Sequence, residues 1–370
     1  MITNPVSQNP SLAPAPTIKL LIVDDSAFMR YAISHHFEGN SSIQVVGTAR
    51  NGIEALDLIP GLNPDVITMD IEMPKIDGIT ALREIMKRFP RPVIMLSSLT
   101  QEGAEATITA LTIGAVDFVP KPTQKASINE VMSEVTAKIV RAATIRVKPA
   151  LFTGKEMQAA QANKSKAVTK KLDQNDPIVL IGSSTGGPRA LHTVLANIPG
   201  DLPAAVAIVQ HMPVGFTYSL AERLNSQSAL LVKEASDGDC LEVGKVLLAP
   251  GGYHMMFNEK GIVSLNQNPT VHGVRPAVDV TLISLVQSFG KNVMAVILTG
   301  MGNDGTNGAK LLHGIGGTVI AENESSCVVY GMPRSIVEAG VADEIIPLDG
   351  IAGTVYLQAK KMKRMLERDH

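Results

Sequence analysis

Tryptophan is absent from this 370-residue chain, cysteine occurs twice, and all aromatic residues together make up 4% of it. No apolar run approaches the roughly 18 residues of a membrane-spanning helix, so no membrane insertion is expected. The two cysteines, Cys240 and Cys327, cannot form a disulfide framework and sit in no metal-ligand spacing such as C-x-x-C. Both read as small hydrophobes in a reducing cytoplasm. A net charge of -2 gives no bulk attraction toward nucleic acid or an anionic membrane, and neither is expected as a partner. Residues 1–17 have no positive start and no apolar stretch; they are expected to be a disordered leader rather than a signal peptide. The length exceeds what one compact core usually holds, which predicts two domains.

The first domain is expected over residues 18–141. The apolar run Ile18 to Val23 ends in Asp24-Asp25, and further buried-strand runs follow at Ile43 to Gly47, Val66 to Met69, Val93 to Leu96 and Val116 to Val119. Helix-like segments alternate with them, the pattern of a doubly wound parallel sheet. Asp24, Asp25, Asp70, Ser97 and Lys121 then stand at strand ends, where an open α/β sheet binds its ligands. Three carboxylates brought together repel unless paired, which implies a hard divalent cation such as Mg²⁺. Such a site holds a phosphoryl group against a carboxylate nucleophile, with Lys121 and the Ser97 hydroxyl meeting its oxygens.

The runs Val23 to Ser26, Asp70 to Gly78, Leu96 to Ser98 and Val119 to Pro122 make this domain similar to a bacterial response-regulator receiver. The resemblance implies phosphorylation of Asp70 by a histidine kinase. It further implies Mg²⁺ held by Asp25, Asp70 and the carbonyl of Glu72, with Asp24 assisting. Phe118 matches the family's aromatic switch position.

Residues 142–176 turn to Lys, Gln, Ala, Asn, Thr and Ser, a composition that favours a flexible linker, with transient helix around Lys155 to Ala167. The second domain is expected over residues 177–370. Its first apolar run, Ile178 to Ile181, leads into Gly182-Ser183-Ser184-Thr185-Gly186-Gly187-Pro188, where Gly182, Ser184 and Gly186 fill Gly-x-Ser-x-Gly. That is the pattern of a nucleophile elbow between a strand and a helix. Two later apolar runs end at His211 and just before Asp304. If the strands are parallel neighbours, Ser184, His211 and Asp304 converge on one sheet edge: a nucleophile, its base and the acid that fixes the imidazole. His254 and His272 are rival bases and Asp279 a rival acid, whereas His192, His313 and His370 read as surface residues. A phosphate-cradling glycine loop is the competing reading of the elbow. The basic segment Lys360 to Arg364 reads as a solvated helix face.

With Gln210 to Pro213, Ala249 to Gly251, Leu298 to Gly305 and Cys327 to Arg334 added, the chain from about Ile18 to Leu366 resembles the CheB family of chemotaxis protein-glutamate methylesterases. The resemblance implies an α/β fold of two doubly wound parallel-sheet domains, a receiver and then a Rossmann-like methylesterase domain. It implies hydrolysis of glutamate methyl esters on methyl-accepting chemotaxis receptors, releasing methanol, and deamidation of certain glutamines. Ser184, His211 and Asp304 would be the triad, the amides of Thr185 and Met301 the oxyanion donors, and a CheA-type kinase the phosphodonor. Mg²⁺ would serve the receiver, with no cofactor for the esterase, in a cytoplasmic monomer. Relatives carry histidine where this chain has Val274, which favours His211 as the base. Autoinhibition is also implied, the unphosphorylated receiver covering the active site. The alternative class is a phosphorylation-controlled binding module whose glycine loop holds a ligand.

Overall fold

Alternate residues of the first strand bury into two different cores, and the first domain is built around that alternation. The computed structural model describes residues 17–122, 128–145, 147 and 167–368. Apart from Thr17, the expected leader lies outside the described residues, as does the expected transient helix up to residue 166. Strands β1 (Ile18–Val23), β2 (Ile43–Ala49), β3 (Val66–Asp70), β4 (Val93–Ser97) and β5 (Asp117–Pro120) form one parallel sheet in the order β2-β1-β3-β4-β5. Leu20 and Ile22 face the core that holds Ile33 and Ile139; Leu21 and Val23 face the one that holds Leu82 and Ile108. Covered on both faces, the central strands β3 and β4 are buried throughout without alternation, whereas the edge strand β2 is partly exposed. Helices α1 (Ala27–His36), α2 (Gly52–Leu62), α3 (Gly78–Arg88), α4 (Gln101–Ile113) and α5 (Ile128–Ala142) connect or follow them. The first four are N-capped by the side chains of Ser26, Asn51, Asp77 and Thr100, which satisfy amides the helix leaves open.

The second domain contains β6 (Lys170–Lys171), β7 (Ile178–Ser183), β8 (Ala205–Gln210), β9 (Leu231–Glu234), β10 (Glu242–Val243), β11 (Lys245–Leu248), β12 (His254–Phe257), β13 (Val263–Asn266), β14 (Val293–Ile297), β15 (Thr318–Glu322) and β16 (Glu344–Ile346). Seven of these make a parallel sheet in the order β16-β15-β14-β7-β8-β11-β9. The chain runs outward from β7 in one direction through β8, then from β14 in the other through β15 and β16. The strand order therefore reverses between β7 and β14, and ligands of such sheets bind at the carboxyl ends beside that reversal. Helices α6 (Gly187–Asn197), α7 (Phe216–Gln227), α8 (Val278–Phe289), α9 (Thr306–Gly314), α10 (Met332–Glu338) and α11 (Leu348–Leu366) complete the domain.

The last part of the segment expected as linker is held by the second domain. Lys170 and Lys171 pair antiparallel with Val243 and Glu242, and the Ala167 amide donates to the Ala229 carbonyl at 2.8 Å. The apolar cluster that includes Ile108 and Leu111 of α4 continues into Phe216 and Leu220 of α7, so the two domains share a packed seam. Among the described residues, no helix is long and apolar enough to cross a membrane.

Candidate active site

Between Ser183, the last residue of β7, and Gly187, the first of α6, the chain turns within three residues. Gly186 makes this turn with φ +79, and a Cβ there would lie 2.6 Å from the Val328 Cβ, so only glycine fits. The Ser184 amide donates to the Thr299 carbonyl at 3.0 Å and the Gly187 amide to the Ser184 carbonyl at 2.8 Å. These two bonds fix the main chain on either side of Thr185 and Gly186. The two serines of the turn are separated by their bonds. The buried Ser183 hydroxyl donates to Gln210 Oε1 at 2.7 Å, whereas Ser184 is half-buried and lines a cavity of about 340 Å³.

Register brings the histidine to this serine. Ser183 is paired with Gln210 across β7 and β8, so Ser184 and His211 are the next residues out on neighbouring strands. The His211 amide donates to the Ser183 carbonyl at 3.1 Å. Gln210 ties the two together, its Nε2 donating to the carbonyls of Ser184 at 2.9 Å and His211 at 3.0 Å.

His211 Nε2 donates to Asp304 Oδ2 at 2.7 Å, which leaves Nδ1 as the ring nitrogen able to take a serine proton. Asp304 is buried before α9 and also accepts the Val278 amide at 2.6 Å and the Asp279 amide at 2.9 Å, both at the start of α8. Burial alone pushes its pKa up; the hydrogen bond and charge of His211 and the two amides outweigh this and hold the carboxyl below its ordinary value. Asp304 thus remains an anion facing the imidazole.

The rival residues have other partners, although His272 and Asp279 lie within 4.8 Å of Asp304. His272 Nε2 lies 3.0 Å from Asp279 Oδ2, and Asp279 also accepts from Asn307 Nδ2 at 3.1 Å and the Gly308 amide at 2.8 Å. His254 is buried in β12, its Nε2 3.1 Å from the Pro269 carbonyl. Of the expected oxyanion donors, neither the Thr185 nor the Met301 amide donates to a protein acceptor among the described residues. Gly300 holds the Met301 loop against the elbow: a Cβ on it would lie 2.8 Å from that of Ser184.

The receiver-like site also assembles. Lys121 Nζ lies 2.7 Å from Asp70 Oδ2 and 3.1 Å from Asp24 Oδ2, and carboxylate oxygens of Asp24, Asp25 and Asp70 lie within 4.8 Å of one another. Burial raises the Asp70 carboxyl to about 6, against the lowering by Lys121. Burial pulls Lys121 down, but its bonds to Asp70 and Asp24 keep it above its ordinary value. The Glu72 amide reaches Asp70 Oδ1 at 3.4 Å. Ser97 stands on the adjacent strand, but its hydroxyl donates to the Gly103 carbonyl and accepts from Thr107 Oγ1, so it faces α4. Phe118 is buried against Phe216 of the second domain, ring centroids 4.5 Å apart.

Three polar residues that matter to this geometry had no sequence signal of their own beyond adjacency to a motif. Gln210 precedes the histidine, Thr299 opens the glycine run, and Asp117 precedes Phe118. Asp117 Oδ2 accepts the Thr185 hydroxyl at 2.8 Å, a bond from the receiver-like domain to the elbow itself. The cavity beside Ser184 and His211 is accordingly lined by Asp117, Phe118 and Lys138 as well.

Comparison with known proteins identifies the two domains. Residues 20–133 match the response regulator receiver domain model and residues 179–355 the CheB methylesterase model. A protein-glutamate methylesterase/protein-glutamine glutaminase of Symbiobacterium thermophilum is 49% identical, covering 91% of this chain and 96% of that protein. One from Geobacillus kaustophilus is 48% identical over 92% of this chain and 98% of its own. The solved CheB methylesterase catalytic domain of Thermotoga maritima is 47% identical with a TM-score of 0.48, covering 50% of this chain and 98% of that one. With a receiver domain ahead of a methylesterase domain, the chain belongs to the protein-glutamate methylesterase/protein-glutamine glutaminase family.

Proposed function

We propose that Ser184 is the nucleophile, His211 its base and Asp304 the orienting acid of a hydrolase whose access is controlled by phosphorylation of Asp70. The observation that carries this reading is the 2.7 Å His211–Asp304 bond next to the Ser184 elbow, at the carboxyl edge where the sheet order reverses. Ser184 Oγ attacks the carbonyl carbon of a glutamate methyl ester while His211 Nδ1 takes its proton. The amides of Thr185 and Met301 receive the oxyanion. As the carbon–oxygen bond to the methoxy group breaks, His211 returns the proton and methanol leaves. Water, deprotonated by His211, then cleaves the acyl-serine to free glutamate. With a glutamine side chain, the same steps release ammonia. The esterase step draws on side chains and amides alone.

The substrates are glutamates on the cytoplasmic helices of methyl-accepting chemotaxis receptors, the phosphodonor is a CheA-type histidine kinase, and the enzyme acts as a cytoplasmic monomer in chemotactic adaptation. The receiver residues fit Mg²⁺. Three carboxylates cluster, and the buried Asp24 Oδ2 has an ion pair with Lys121 but no hydrogen bond. Asp24, Asp25, Asp70 and the main chain at Glu72 would hold the ion, which supplies positive charge to phosphoryl oxygens when bound. Asp70 offers the accepting carboxylate and Lys121 a second cation.

Coupling to the esterase runs along β5. Lys121, which pairs with Asp70, follows the end of this strand; Asp117 and Phe118 at its start contact Thr185 and Phe216. A phosphoryl group on Asp70 breaks the Lys121–Asp70 pair and thereby loosens the contacts that cover Ser184. Methanol release from methylated receptor tests this: addition of acetyl phosphate and Mg²⁺ should raise the rate, and Asp70→Asn should abolish the rise.

A further inference from the structure

We infer that Glu322, which stands outside the triad, positions the nucleophile by fixing the main chain of Thr299. Glu322 ends β15 and is fully buried. The ladder between β14 and β15 stops at Ile297 and Ala321, so the Thr299 amide has no strand carbonyl to pair with. Glu322 Oε2 takes that place, accepting the amide at 2.8 Å. Its Oε1 accepts the Ser326 hydroxyl at 2.9 Å, and the Ser326 oxygen in turn accepts the Leu348 amide at 3.0 Å. The carboxyl is thereby anchored on the side away from the site.

Thr299 passes this anchoring to the elbow. Its carbonyl accepts the Ser184 amide at 3.0 Å, and its hydroxyl donates to the Thr185 carbonyl at 3.1 Å. The same hydroxyl accepts the Val328 and Val329 amides at 3.1 and 2.9 Å, and the next residue, Gly300, leads into Met301. One residue thus touches the main chain of the nucleophile, of one oxyanion donor and of the segment leading to the other. Without Glu322, the Thr299 amide is left buried and unpaired, which favours displacement of that residue. What the Thr299 amide needs from Glu322 is an oxygen acceptor, which a glutamine side chain also offers.

This inference rests on Ser184 as the nucleophile, and its test separates the two. Glu322→Gln keeps the acceptor, and Glu322→Met keeps the volume without it. Methanol release from methylated receptor is measured on the full chain activated by acetyl phosphate and Mg²⁺, with folding checked by thermal melting. An error of about an ångström in placing reacting groups costs about 100-fold in rate. Glu322→Met should therefore lower kcat about 10- to 100-fold with KM unchanged, and Glu322→Gln should stay within about threefold of the parent. Ser326→Ala, which frees the other carboxyl oxygen, is a milder second case and should lower kcat a few-fold at constant KM. Parental kcat in Glu322→Met or, where that variant does not fold, in Ser326→Ala overturns the inference. A folded Glu322→Gln as impaired as Glu322→Met, or a loss confined to KM, also overturns it. Ser184→Ala is run alongside: if it retains activity, the nucleophile assignment fails; if it is inactive while Glu322→Met is normal, only the role of Glu322 fails.

Discussion

Thr185, the residue after Ser184, donates its hydroxyl to the carboxylate of Asp117 in the receiver domain at 2.8 Å. Asp117 is held from its own side by Lys138 Nζ at 3.1 Å and by the Phe118 amide at 2.8 Å. The contact therefore spans from a braced receiver strand to the turn that carries Ser184. Hydrogen bonds to charged groups contribute about 1.5–3 kcal/mol, enough to bias a closed arrangement by roughly 10-fold or more. Asp117→Ala is expected to raise methanol release in the absence of a phosphodonor several-fold and to shrink the stimulation by acetyl phosphate. Unchanged basal activity would count against the covering role of this bond.

The two adjacent serines make opposite predictions. Ser184→Ala should reduce activity by about 10⁴-fold or more, since removal of a triad nucleophile leaves only binding and oxyanion stabilisation. Ser183→Ala, which removes a buried bond to Gln210, should mainly lower thermal stability and leave the enzyme measurably active. Parallel kcat and melting measurements on the two proteins decide this, and a reversed order would move the nucleophile by one position.

Asp304→Asn should cost about 10⁴-fold in kcat, because an amide no longer selects the tautomer with Nε2 protonated. The same carboxyl predicts a stability effect with a definite sign. Its pKa is depressed on folding from an ordinary value of 3.8, so it contributes stability at higher pH that is lost as pH falls through the folded value. The difference in melting temperature between the parent and Asp304→Asn should therefore narrow as pH drops below about 4. A difference that widens there would contradict the assignment.

Gln210→Ala removes one side chain from three partners: the Ser183 hydroxyl and the carbonyls of Ser184 and His211. Leaving buried polar groups unpaired costs about 1–3 kcal/mol each, so a melting temperature lower by several degrees is expected. A loss of kcat should accompany it, because Gln210 bridges the backbones of Ser184 and His211, the proposed nucleophile and base. Normal melting and normal kcat together would remove Gln210 from the account.

The strand ends are legible in the sequence because parallel strands covered on both faces are uninterrupted apolar runs, and the residues after them stand at the carboxyl edge where such sheets bind ligands. Ser184, His211, Asp304, Asp70 and Lys121 are all singled out as candidates by that placement. Choosing His211 over His272 was harder, since both lie near apolar strands; the choice depends on β8 lying beside β7 and on Asp279 being taken by α9. Asp117 and Glu322 were not legible at all. Each acts across a junction, one between domains and the other between the ends of β14 and β15, and spacing along a chain carries no record of which surfaces meet. Ser97 shows a different limit: its position on the sheet edge was legible, but the direction of its hydroxyl is set by Thr107 and Gly103 of α4.

The central claim is that phosphorylation of Asp70 exposes an esterase built on Ser184. It is tested most directly by methanol release from methylated receptor, measured on the full chain with and without acetyl phosphate and Mg²⁺. A large rise in the parent, no rise in Asp70→Asn and no methanol at all from Ser184→Ala are the results predicted here. Equal rates with and without the phosphodonor, or release of methanol by Ser184→Ala, would contradict it.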